Sequence, residues 1–151
     1  MTITIQTAPV ILSVRQKSHL GVQDIQDPVA RDNARAGLDK IDEIRRCVRE
    51  GFGQLQRRVS RFLARDYTVE ADNVSSMPAA YVYEFRVSDR RGANKAEALE
   101  EAMTNFVVQL ALAKFCATVN QTERSNQHSL QAIDYGNQID ELLYTKLPPR
   151  V

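Results

Sequence analysis

The 14 residues from Phe106 to Val119 form a mostly apolar run interrupted by Gln109 and Lys114. A helix built from this run is greasy nearly all round, and such a helix is stable only when covered on several sides. It is also shorter than the roughly 20 residues needed to cross a bilayer. The run therefore predicts a central core helix, not a membrane anchor, and the rest of the chain must supply its cover. Upstream, Leu99, Met103, Phe106 and Leu110 continue the helical spacing, and Asn94 with Glu97 forms an N-cap and capping-box pattern.

Three segments are candidates for the cover. From Leu38 to Phe62, Leu38, Ile41, Ile44, Val48, Phe52, Leu55, Val59 and Phe62 recur every three or four positions, an amphipathic helical stripe. Gly51 and Gly53 interrupt it, and each costs about 1 kcal/mol relative to Ala inside a helix, so a close neighbour is expected there. After Asp66 the period changes to two: Tyr67 to Glu70, then Tyr81, Val82, Tyr83, Glu84, Phe85, Arg86, Val87 and Ser88. Tyr81, Tyr83, Phe85 and Val87 share one face. This predicts a β-hairpin at about 67–88 that needs a helix or a third strand against it, because two strands alone are marginal in water. Residues 1–6 alternate and are a candidate third strand, from this chain or a neighbouring copy. Leu130, Ile133, Ile139, Leu143 and Leu147 trace a last helix that Pro148 and Pro149 end.

Residues 7–37 carry weaker signals. Pro9, Val10, Ile11 and Val14 point to a short helix stopping by Gly21, and the polar stretch 21–37, broken at Asp27 and Pro28, reads as a linker. The expected fold is mainly α with a small β-hairpin: a long helix, the hairpin and a helical hairpin form one domain over 38–151, preceded by an extended N-terminal arm and linker over 1–37. A chain of 151 residues suits one such domain, and 6 Gly and 5 Pro are too few for a loop-dominated one.

Catalytic signals are lacking. Cys47 and Cys116 stand 69 positions apart in no metal-binding spacing and read as reduced, packed thiols. His19 and His128 belong to no metal-ligating pattern, and their serine neighbours, adjacent in sequence, point away from them. Glu97 and Glu101 are accounted for by the positive end of a helix dipole. Gly51 and Gly53 lie inside a helix pattern rather than after a strand, unlike a phosphate-cradling loop. The first 14 residues lack the basic start and unbroken apolar run of a signal peptide. The expectation is an intracellular product with no enzymatic activity, no cofactor and no metal.

Charge is the informative feature. Twenty basic and 19 acidic residues nearly cancel, yet Arg45, Arg46, Arg49, Arg57, Arg58, Arg61 and Arg65 face only Glu50 within 45–65. Between 96 and 147 the acids Glu97, Glu100, Glu101, Glu123, Asp134, Asp140 and Glu141 outnumber Lys114, Arg124 and Lys146. Arginine presents a planar fork suited to carboxylates and phosphates, so these seven are the candidate interaction residues. Their partners are acidic helices of the same molecule, the acidic face of another copy, or nucleic-acid phosphate. Opposite charge on different faces of one body favours head-to-tail association, which closes into a ring when the rotation permits.

The run Tyr81-Val-Tyr-Glu-Phe-Arg-Val87, the helix Ala98-Leu-Glu-Glu-Ala-Met-Thr-Asn-Phe-Val-Val-Gln-Leu-Ala-Leu-Ala-Lys-Phe115, the helix after it and the tail Lys146-Leu-Pro-Pro-Arg150 together resemble small helical virion proteins of tailed bacteriophages and prophages. These are the connector or neck proteins that join head to tail, and many carry Trp where this chain has Phe115. The resemblance implies a non-enzymatic structural subunit of the virion, made in the host bacterial cytoplasm. It would form a homo-oligomeric ring between portal and tail components, with non-specific contact with passing DNA and none with membrane. The competing expectation is a nucleic-acid-binding module that uses the 45–65 helix as its phosphate footprint.

Overall fold

The computed structural model describes residues 1–64, 78–86 and 93–144. The apolar run lies in α4 (Ala93–Thr118), and Leu99, Met103, Phe106, Val107, Val108, Ala111, Leu112 and Phe115 are all buried. α3 (Ile41–Val59) and α5 (Thr122–Leu143) pack along it, and α1 (Thr7–Gly21) and β1 (Thr2–Gln6) complete the cover. The fold is mainly helical with one small antiparallel pair of strands, as expected.

α4 starts at Ala93, one residue ahead of the Asn94 expected to cap it. Its other end is a Schellman turn. Asn120 takes the left-handed conformation (φ 62°), Gln121 N–H donates to Cys116 C=O at 2.8 Å, and Asn120 N–H donates to Ala117 C=O at 3.3 Å. The tight turn sets α5 back antiparallel along α4.

In α3 the buried face is Ile44, Cys47, Val48, Phe52, Leu55 and Val59. Leu38 falls in a separate 3-10 turn, Leu38–Lys40, and is exposed, so the stripe starts one turn later than its spacing implied. The two glycines have different reasons. A Cβ on Gly51 would stand 3.2 Å from both the carbonyl oxygen and Cγ1 of Val107, so glycine there lets α3 approach α4 closely. At Gly53, beyond the adjoining residues and the helix's own backbone, no atom of the described residues comes within 4 Å of that position, and the expected close neighbour is missing.

The N-terminal segment is not an arm. Ile3, Ile5, Val10 and Val14 are buried in the common core, because β1 and α1 each turn one apolar face inward. β1 pairs antiparallel with β2 (Ala80–Glu84), Ile3 opposite Tyr83 and Ile5 opposite Tyr81. The same alternation that puts Tyr81 and Tyr83 inside stacks Tyr81 on Phe52 of α3, with centroids 3.9 Å apart. On the other edge of β2 the chain leaving α3 starts a further pairing: Leu63 bridges Phe85, and Ala64 N–H donates to Glu84 C=O at 2.7 Å. Tyr67 to Glu70, the expected hairpin partner, lie outside the described residues, as do Val87 and Ser88.

Two further elements differ from expectation. The presumed linker holds α2 (Pro28–Ala34), started by an Asp27 side chain that accepts from Val29 N–H at 3.1 Å, with Pro28 in the first turn. In α5 the buried face is Ala132, Gly136, Ile139 and Leu143, while Leu130 and Ile133 are 64% and 55% exposed. The reason is phase: Ile133 precedes Ile139 by six residues, about 240° around the helix, and the in-phase positions are small. Leu147, Pro148 and Pro149 lie outside the described residues.

The glycine geometry gives opposite expectations for one substitution. Gly53→Ala stabilises the fold by about 0.5–1 kcal/mol through helix propensity alone. Gly51→Ala destabilises it by about 1–3 kcal/mol, because Val107 sits in a helix packed on several sides and cannot yield. Urea unfolding of the two variants checks both signs.

Candidate interaction surface on the third helix

The seven candidate arginines have different surroundings. Arg45 stands 3.9 Å from Asp42 and Arg46 pairs with Glu43, each one turn back on α3 itself. A charge count that starts at Arg45 leaves these two acids out, so the basic segment is partly neutralised by its own helix. Arg58 turns inward. Its Nε and one terminal nitrogen donate to the two carboxylate oxygens of Asp140 at 3.2 and 2.9 Å, and Nε also donates to Gly136 C=O at 3.1 Å. Its guanidinium lies 5.6 Å from the Phe106 ring centroid. Arg61 lies over two rings, 4.9 Å from Phe62 and 4.8 Å from Tyr144, which meet edge to face. Arg49 and Arg57 have no ion pair among the described residues. Arg65 lies outside them.

Positions 45, 49, 53 and 57 form one row of every fourth residue on α3, so this side carries an arginine ridge interrupted at Gly53, and Arg61 follows in the 3-10 turn Ser60–Phe62. Such a row of like charges is repulsive by about 0.2–0.5 kcal/mol per neighbouring pair.

The acidic side lies across α4 and α5. Glu101, Asn105, Tyr135, Gln138 and Glu141 line an open groove of about 400 Å³ between the two helices. Gly136 and Asp140 are reached from α3, whereas Tyr135 and Gln138 line this groove on the opposite flank of α5. Glu97, Glu100, Glu101, Asp134 and Glu141 are exposed and have no ion pair among the described residues. Of the acids in that half of the chain, Asp140 alone pairs with one of the seven arginines among the described residues.

Three features escaped the sequence reading. Gly136 is the seat of Arg58, since a Cβ there would stand 2.6 Å from the guanidinium carbon; a glycine inside an otherwise regular helix pattern was the available signal. Gln109, the amide within the apolar run, is buried and accepts from His128 Nδ1 at 2.7 Å. Lys114, the other interruption, reaches out to Glu50 at 2.7 Å, and this bond holds the Glu50 carboxyl below its ordinary value.

Burial, reinforced by Lys17 and Arg124, holds the His128 imidazole below its ordinary value. Burial, then Arg35 and Arg15, does the same at His19. Both cysteines are free and buried; burial pushes the Cys47 thiol up to about 11, Glu43 adding to the shift. A thiol held this far from ionisation is a poor nucleophile. Among the described residues no three His, Cys, Asp or Glu side chains are grouped to hold a metal, and no helix is long and apolar enough to cross a membrane.

Compared with known proteins, the chain matches no family model, no curated protein and no solved structure.

Two outcomes follow from this geometry. Gly136→Ala lowers stability by about 1–3 kcal/mol, and much less when Arg58 is already alanine, a coupling that a double-mutant cycle of unfolding free energies measures. Since the folded pKa of His128 is depressed, the unfolded chain takes up that proton first as pH falls below about 6.5, so stability is full above that value and declines below it. Comparing urea midpoints at several pH values, with His128→Gln flattening the slope, checks the sign.

Proposed function

We propose that this protein is a non-enzymatic structural subunit that assembles with copies of itself into a ring, of the kind that joins head to tail in tailed bacteriophages, between portal and tail components. The observation that carries this reading is the pair of unsatisfied faces. On α3 the exposed Arg57 and the half-buried Arg49 stand without a carboxylate, and exposed acids on α4 and α5 stand without a cation, among the described residues. A rigid body with complementary charge on two different faces associates head to tail, and its electrostatic complementarity fixes partner and register. The resemblance of residues 81–87 and 98–115 to connector and neck proteins supplies the setting.

Light scattering across a salt series tests the proposal. The expected result is a multimer at about 0.05 M salt that dissociates towards 1 M, where the screening length falls to about 3 Å. Electron micrographs of the low-salt sample should show closed rings. A monomer at every salt and protein concentration overturns the reading. A monomer that binds duplex DNA with a steep salt dependence replaces it with the nucleic-acid-binding module.

A further inference from the structure

We infer that the subunit interface is formed by the interrupted arginine ridge of α3 in one copy docking on the outward face of α5 in the next, with the bare backbone at Gly53 receiving Leu130. This rests on the assembly reading above and goes further by naming both surfaces. The first observation is Gly53 itself. It sits mid-helix, where glycine is unfavourable, and, beyond the adjoining residues and the helix's own backbone, no atom of the described residues occupies the space beside it, so its small size serves nothing described within the chain. Arg49 and Arg57 flank it, each about 6 Å away along the helix axis. The result is a shallow uncharged notch between two cations.

The second observation is independent and lies on another element. Leu130, 64% exposed, lies on the side of α5 away from the face that packs on α4, and Ile133, 55% exposed, lies on its flank. A carboxylate borders Leu130: Asp134 follows it by one four-residue step. Rows of every fourth residue on two helices interdigitate in the commonest helix packing. With Leu130 over Gly53 and the two helices running in the same direction, Asp134 falls beside Arg57, because both rows advance by the same step of about 6 Å. A bulky side chain at 53 would hold the helices apart and leave the charges out of reach.

The occupant is a second copy because its α5 offers both a carboxylate for the arginines and an apolar side chain for the notch. A nucleic-acid backbone would satisfy the arginines but leave Leu130 and Ile133 uncovered, and the acid beside Leu130 repels phosphate. The ridge and the α5 face lie on different helices, so a contact that uses one of these surfaces from each copy is heterologous and propagates until it closes.

Sedimentation equilibrium of the full-length chain tests the interface with four variants: Gly53→Leu, Arg57→Asp, Asp134→Arg and the double variant Arg57→Asp with Asp134→Arg. Gly53→Leu should weaken association at least about tenfold while melting no lower than the parent, which separates a blocked notch from a damaged fold. Each single charge reversal should weaken it similarly, and the double variant should recover it, since the exchanged charges face each other again. If the parent associates but all variants associate equally well, the interface lies elsewhere and this inference falls while the assembly reading stands. If the parent never associates, both fall. Variants that keep the multimer but lose affinity for duplex DNA would assign the ridge to nucleic acid and overturn the inference.

Discussion

The structure depends on how closely α3 can lie against α4. An apolar helix such as α4 has to be covered on several sides, and Gly51 removes the side chain that would hold α3 away from Val107. Once α3 is seated, its C-terminal end comes within reach of α5, and Arg58 spans the gap to Asp140 over Gly136. The same seating brings Phe52 under Tyr81 and so anchors the two strands. Helix packing, the internal ion pair and the position of the sheet are thus consequences of one missing methyl group.

Arginine has three fates along α3 and the 3-10 turn that follows it, and they separate structure from recognition. Arg58 is forked onto a carboxylate and a carbonyl, with a ring nearby, and works as an internal tie. Arg61 lies over the rings of Phe62 and Tyr144, where the faces of the aromatic systems are electronegative. Arg49 and Arg57 face outward with neither arrangement among the described residues. Surface pairs such as Arg45 with Asp42 contribute little to stability, so the outward arginines are better understood through what they meet than through what they hold.

Much of the fold was legible because period and length are read directly from residue order. The central helix, the α3 stripe and the inward faces of β1 and β2 follow from spacing alone. The errors have definite causes. On α5 the larger side chains, Leu130 and Ile133, drew attention from the in-phase positions Ala132 and Gly136, where small residues are needed for close packing. Asp27 and Pro28 carry the signal of a break in the chain, and the same pair serves as a cap and a first-turn proline. At the candidate site the seven arginines were visible as a cluster, but sequence order does not say which of them bends inward. That depended on α3 and α5 meeting near Gly136, a contact between positions 78 residues apart.

The pairing of β1 has a consequence for how the molecule is made. Met1 and Phe85 are hydrogen-bonded across 84 residues of sequence, so the first strand has no partner until β2 has left the ribosome. During synthesis Ile3, Ile5, Val10 and Val14 are exposed, and contacts this distant in sequence form slowly. An unpaired strand waiting beside other nascent chains of the same kind is also an element that two molecules can exchange, each lending its first strand to the other's β2.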